Sequence, residues 1–173
     1  MQSLLAAVFA LHAVANLGGQ PAQLFKNGRP TVVVFVRTDC PISNRYAPEV
    51  NRLFQKYSGR VDFYLVYPDA AETADAIRKH VADYGYQAEP LRDARHELVG
   101  LAKAQVTPEG AVFSRDGRLL YHGRIDNRYI DFGKYMPAPT RHDLEEAIDA
   151  VLAGEPVKEP VTRAIGCSLA DVQ

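Results

Sequence analysis

The chain has 173 residues, 47% of them hydrophobic, and its 20 Lys and Arg nearly cancel its 21 Asp and Glu. That length suits one domain with a proper core, and that composition argues against disorder. The charge balance gives no ground for a nucleic-acid or anionic-membrane partner, no apolar run approaches the roughly 20 residues that span a bilayer, and no internal repeat or low-complexity tract is visible.

The N-terminal "MQSLLAAVFALHAVANLGG" has two readings. Its apolar part has signal-peptide length and Ala13-Val14-Ala15 fits a small-x-small cleavage site, but no Lys or Arg precedes it. The alternative is a helix or strand that packs on the domain. Residues 1–19 are therefore set apart from a domain at 20–153 and a C-terminal tail at 154–173. The two cysteines leave export and a cytoplasmic location both open: an exported chain could bridge them, and a cytosolic one could cycle them.

"TVVVFV" (31–36) is the continuous apolar run of a strand buried on both faces. Cys40-Pro41-Ile42-Ser43 then opens a helix whose Tyr46, Ala47, Val50, Leu53, Phe54 and Tyr57 fall at helical spacing before Gly59 stops it. "VDFYLVYP" (61–68) is the second strand, so the first three elements make a βαβ unit. Asp69 with Glu72 has the form of a capping box for a helix through Ala76, Ile77, Val81 and Tyr84. "EPLRD" is a short extended piece, and 94–104 reads as a helix.

Two strands flank Asp116-Gly117, a strong hairpin signal. The segment 126–140 is long for a link and rich in Tyr, Arg and Asp. Such loops often bind ligands, so Arg128 and Tyr129 become candidates for holding a carboxylate or peptide; a self-packed, solvated loop is the alternative. Thr140 with Asp143 is expected to cap a last helix through Leu152, with Gly154 past its end. The five histidines form no metal-ligand spacing and need no function. The order is β-α-β-α-(short β)-α-β-β-α, an α/β domain with a mixed central sheet.

Cys40 sits at a strand-to-helix corner. A helix N-terminus favours an anion, and Arg37 and Arg45 are close in sequence, while Asp39 opposes them. The expectation is a lowered thiol pKa and a reactive thiolate; a small buried core residue is the alternative. Ser43 could bond the orphan helix N–H groups, the Cys40 sulfur, or both.

The order and spacing resemble the thioredoxin-like superfamily, above all its redoxin branch of exported thiol–disulfide oxidoreductases and AhpC/TSA-type proteins. Pro48 stands where the family's helix proline follows the first cysteine, with Ala47 before it. The resemblance implies that Cys40 is the nucleophile. It also implies that the Thr107-Pro108 peptide in "VTPEGAVF" is cis and lies beside Cys40. The match covers about residues 20–153. Three features depart from it, one being that the copper-delivering relatives want Cys-x-x-x-Cys and Asn44 stands at the fourth position after Cys40. The motif is Cys-x-x-Ser, so a local disulfide cannot form. The peroxiredoxin signature wants Thr or Ser three residues before the cysteine, and Arg37 stands there.

Cys167 could replace the missing partner. The last helix should run away from Cys40 for about 21 Å. The tail from Gly154 to Cys167 spans at most about 45 Å when extended, so it can double back. A free tail thiol, or a thiol for another chain, is the alternative.

The leading reading is a thiol–disulfide oxidoreductase. Cys40 and Cys167 carry the chemistry, Pro41, Ser43, Thr107, Pro108 and Arg128 support it, no cofactor or metal is required, and the partner is a protein or small-molecule disulfide or thiol. The rivals are a thiol peroxidase with antioxidant action, a copper(I)-binding module using two soft thiolates, and a non-catalytic peptide-binding adaptor.

Overall fold

A computed structural model describes residues 14–172. The apolar part of the leader reading therefore lies almost wholly outside the described residues. In chain order the elements are β1 (Ala15–Asn16), β2 (Thr31–Phe35), α1 (Pro41–Tyr57), β3 (Asp62–Tyr67), α2 (Ala74–Asp83), β4 (Glu89–Arg92), α3 (Glu97–Ala102), β5 (Val106–Thr107), β6 (Glu109–Phe113), β7 (Leu119–Gly123), β8 (Tyr129–Asp131), β9 (Lys134–Tyr135), α4 (Asp143–Ala153) and β10 (Cys167–Ser168). The main sheet has the order β1-β4-β3-β2-β6-β7. β2, β3 and β4 run parallel, while β1 and the β6–β7 hairpin are antiparallel to their neighbours.

β2 is central because all its residues are apolar or small enough to be buried on both faces. Val32 and Val34 face one layer with Val50, Leu53 and Tyr57 of α1, Ile77 of α2, and Leu144 and Ile148 of α4. Val33 and Phe35 face the other, with Leu98 and Ala102 of α3, Val14, Leu24 and Leu169. Each of the Val, Leu, Ile and Phe side chains contributes about 1.5–3 kcal/mol on leaving water. The result is the expected thioredoxin-like arrangement: a mixed sheet covered by helices, with the C-terminal ends of its parallel strands free to carry a site.

Several local readings change. Asp69 and Glu72 do not form a capping box. Thr73 caps α2, its Oγ1 accepting from Ala76 N at 3.1 Å. Asp69 Oδ1 turns to Ala71 N, and Glu72 is buried and spends its carboxylate elsewhere. The helix expected over 94–104 shrinks to Glu97–Ala102, because Asp93 takes the N–H groups of Glu97 and Val99 at 2.9 and 2.8 Å, and Lys103 ends it in the left-handed region. Thr140 does not cap α4, whose N-cap is His142; it bonds Asn127 instead, whose Oδ1 accepts from Thr140 N and Arg141 N at 2.9 and 3.0 Å. The segment 126–140 is thereby closed at its base and folds into the β8–β9 ribbon.

Candidate active site

β2 delivers the chain to the C-terminal end of the parallel strands, and residues 37–39 turn it into α1. Cys40 is the N-cap, in extended conformation, and Pro41 is the first helical residue, where its missing N–H costs nothing. The approach to Cys40 is fixed from two sides. Thr38 N donates to Glu72 Oε1 at 2.6 Å, and Thr38 O accepts from Asn44 Nδ2 at 3.2 Å. Asn44 Oδ1 in turn accepts from His80 Nε2 at 2.8 Å, and His80 Nδ1 accepts from the Tyr67 hydroxyl at 2.8 Å. Asn44 has its amide nitrogen on Thr38 and its oxygen on His80, so a neutral His80 carrying its proton on Nε2 completes this line. Burial pulls the His80 pKa down, which keeps it neutral.

Opposite Cys40 lies the Thr107–Pro108 peptide, which is cis. The Cys40 thiol donates to the Thr107 carbonyl at 3.0 Å. Glu109 follows directly and is buried. Its Oε2 accepts from Gln105 N and Val106 N at 2.8 and 3.2 Å, and its Oε1 from His122 Nδ1 at 3.2 Å. One carboxylate thus braces the entry to β5.

The tail closes the site. After α4 it returns along β7: His122 N donates to Pro160 O at 3.0 Å, and Thr162 N to His122 O at 3.2 Å. β10 then pairs antiparallel with β5, Cys167 facing Thr107 and Ser168 facing Val106. Leu169 N donates to Gln105 O at 2.9 Å, and its side chain is buried. Cys167 Sγ therefore stands 2.7 Å from Cys40 Sγ. Both cysteines are unbridged, and Cys40 has no exposed surface.

The two sulfurs are electrostatically unequal. For Cys40, burial pushes the pKa up, but it is outweighed by the Cys167 thiol, the Ser43 hydroxyl and the Ser43 and Cys167 N–H groups, and the net shift is downward. The Thr107 carbonyl favours the protonated thiol, and it is one acceptor set against these donors. Ser43 Oγ is buried and has no other partner, so its hydroxyl serves the sulfur. For Cys167, burial and then the neighbouring Cys40 sulfur push the thiol up to about 12. The first proton to leave the pair comes from Cys40.

The expected residues fall into two groups. Cys40, Cys167, Pro41, Ser43, Thr107 and Pro108 meet at one point. Arg128 lines a separate cavity beside the first turns of α1, with Arg45 and Tyr129. The arginines expected to tune Cys40 act elsewhere. Arg37 pairs with Asp39 at 2.9 Å and Asp69 at 3.6 Å, and Arg45 stacks on Tyr135 at 5.8 Å. The sequence reading missed His80, Glu109 and the true work of Glu72. For His80 a signal existed: it lies on the Ile77 face of an amphipathic helix, where a His needs partners. For Glu109 the only signal was an acid inside a run of strand residues.

No family model matches the chain, and no curated protein matches it. Solved structures do. A hypothetical protein from Sinorhizobium meliloti superposes with TM-score 0.77 at 28% identity, over 92% of this chain and 91% of that one. An uncharacterized conserved protein from Geobacillus kaustophilus gives 0.78 at 28% identity, over 91% and 86%. A secreted Mycobacterium tuberculosis disulfide oxidoreductase, described as homologous to E. coli DsbE, gives 0.55 at 19% identity, over 86% and 99%. The chain has the thioredoxin-like fold.

Proposed function

We propose that the protein is a thiol–disulfide oxidoreductase in which Cys40 and Cys167 form one redox pair. The observation that carries this is the 2.7 Å approach of the two unbridged sulfurs across the β5–β10 pairing. The fold is the one shared with a protein described as a disulfide oxidoreductase.

The Cys40 thiolate attacks one sulfur of a substrate disulfide. A Cys40–substrate bond forms, the substrate S–S bond breaks, and the leaving thiolate takes a proton. Cys167 then attacks the Cys40 sulfur. A Cys40–Cys167 bond forms, the mixed disulfide breaks, and the Cys167 proton goes to the second substrate thiolate. Two electrons have moved from the cysteine pair to the substrate, and an external thiol must return them. The sulfurs need to close by less than about 1 Å to reach bonding distance. Because Cys40 is covered by the tail, the tail lifts for the first attack and returns for the second.

The lowered Cys40 pKa suits a nucleophile, and the raised Cys167 pKa suits a resolving thiol that stays protonated until needed. The test is the Cys167→Ala variant with a model disulfide. It should accumulate a mixed disulfide on Cys40 that the wild-type chain clears. If both chains turn over equally, Cys167 does not resolve; if a peroxide reacts with Cys40 and disulfides do not, the peroxidase reading replaces this one.

A further inference from the structure

We propose that the cavity between the first turns of α1 and the β8–β9 ribbon is a carboxylate-binding subsite for the substrate of Cys40. The favoured substrates are then small disulfides that carry carboxylates. This inference rests on the redox reading above and narrows its substrate class.

The cavity has a volume of about 270 Å³ and is lined by Arg45, Arg128, Tyr129, Tyr135, Met136 and Pro137. Two cations line it and no acid does. Among the described residues, no ion pair within 4 Å involves Arg45 or Arg128. Arg128 Nε is buried without an acceptor. Arg45 also bonds the Tyr129 side chain, but neither guanidinium has a carboxylate partner, and two such groups in a concave site raise the local concentration of anions.

The arginines are held in place. Arg45 lies over the Tyr135 ring at 5.8 Å. Tyr129 stacks on Tyr135 at 6.0 Å and on Tyr46 of α1 at 5.6 Å. The Tyr46 hydroxyl donates to the buried Asp126, whose Oδ1 also accepts from Arg128 N at 2.9 Å. Met136 N donates to Arg128 O at 2.8 Å. The ribbon is therefore docked on α1 at its root, with neither guanidinium paired to a carboxylate.

The chemistry selects a carboxylate. A guanidinium fork matches its two oxygens, and the aromatic, Met and Pro walls accommodate the apolar atoms beside it. The position selects a substrate of Cys40. β7 ends at Gly123, opposite Gly110 and two residues from Pro108, so the ribbon leaves the sheet at the end where Cys40 opens α1, and Arg45 lies in the second turn of that helix. One end of a short peptide disulfide can meet Cys40 while a carboxylate meets the two arginines.

The test measures oxidation rates of the reduced full-length protein by glutathione disulfide, which bears carboxylates, and by 2-hydroxyethyl disulfide, which is neutral. The readout is the preference, the first rate divided by the second, because it cancels any general change in Cys40 reactivity. Arg45→Gln and Arg128→Gln should each lower that preference about tenfold, and the lysine variants should retain part of it. Preference equal to wild type in both glutamine variants overturns the subsite while leaving the redox reading intact. Failure of every disulfide to oxidise wild-type Cys40 overturns the redox reading, and the subsite with it.

Discussion

Gly166 lies so close to Thr107 that a Cβ added to it would stand 2.1 Å from the Thr107 carbonyl oxygen and 3.1 Å from Pro108 N. No real Cβ tolerates that approach to backbone, so β10 can pair with β5 only if the residue before Cys167 is glycine. The requirement is one of space, since both contacts are to rigid main chain.

The Gly166→Ala variant should therefore hold its tail off the site. Overpacking of this kind costs about 1–3 kcal/mol, and each 1.4 kcal/mol is a factor of ten. Iodoacetamide should modify Cys40 at least about fivefold faster than in the wild-type chain, and the Cys40–Cys167 disulfide should form more slowly. Equal alkylation rates would mean that the tail does not cover Cys40 in solution. Gly123→Ala offers an independent route to the same state, because its Cβ would meet Thr162 O at 2.3 Å.

The acidity of Cys40 should depend on its donors. In the wild-type chain the pH profile of alkylation should give an apparent pKa below that of a free thiol, roughly 8.5. Ser43→Ala and Cys167→Ala each remove a side-chain donor and should each move the profile upward. A profile at or above the free-thiol value, or one unmoved by both variants, would remove the electrostatic basis for Cys40 as nucleophile.

Oxidation should stabilise the fold. A Cys40–Cys167 bridge closes a loop spanning a sequence separation of 127 residues. In the chain-entropy account such a cross-link adds about 4–5 kcal/mol. Urea unfolding of oxidised and reduced protein should differ by that order, and Cys167→Ala should abolish the difference. A gain below about 1 kcal/mol would show that the bridge strains the fold or does not form.

His80 makes the fold acid-sensitive. Burial depresses its pKa in the folded state, so the unfolded chain takes up a proton first as the pH falls. The contribution of neutral His80 is present above the unfolded value of about 6.5 and is lost as the pH drops below it toward the lower folded value. Asp93 and Glu72, raised by burial, act in the opposite sense, so the quantity to read is the wild-type stability minus that of His80→Gln. That difference should shrink between pH 8 and pH 5. A constant difference would mean that His80 does not titrate with folding.

Much of the frame was legible in the residues. "TVVVFV" announces a doubly buried strand because few other environments suit so many β-branched residues, and Asp116-Gly117 marks the hairpin because a tight turn needs positive φ, as Gly117 has at +82°. The Cys40 corner followed from strand-then-helix order. What stayed hidden depends on long-range partners. Glu72 reads as a cap because a capping Glu and a Glu that reaches Thr38 look alike in sequence. Arg37 and Arg45 read as tuners of Cys40 because sequence proximity carries no direction, and both side chains turn to other groups. The path of the tail was bounded only by its length; its pairing with Thr107 depends on the absent side chain of Gly166.

The most direct test of the redox pair is disulfide mapping by mass spectrometry after mild oxidation of dilute, full-length protein. The account predicts a single intramolecular Cys40–Cys167 bridge, restored to two thiols by dithiothreitol. Two free thiols, or bridges between chains, would contradict it.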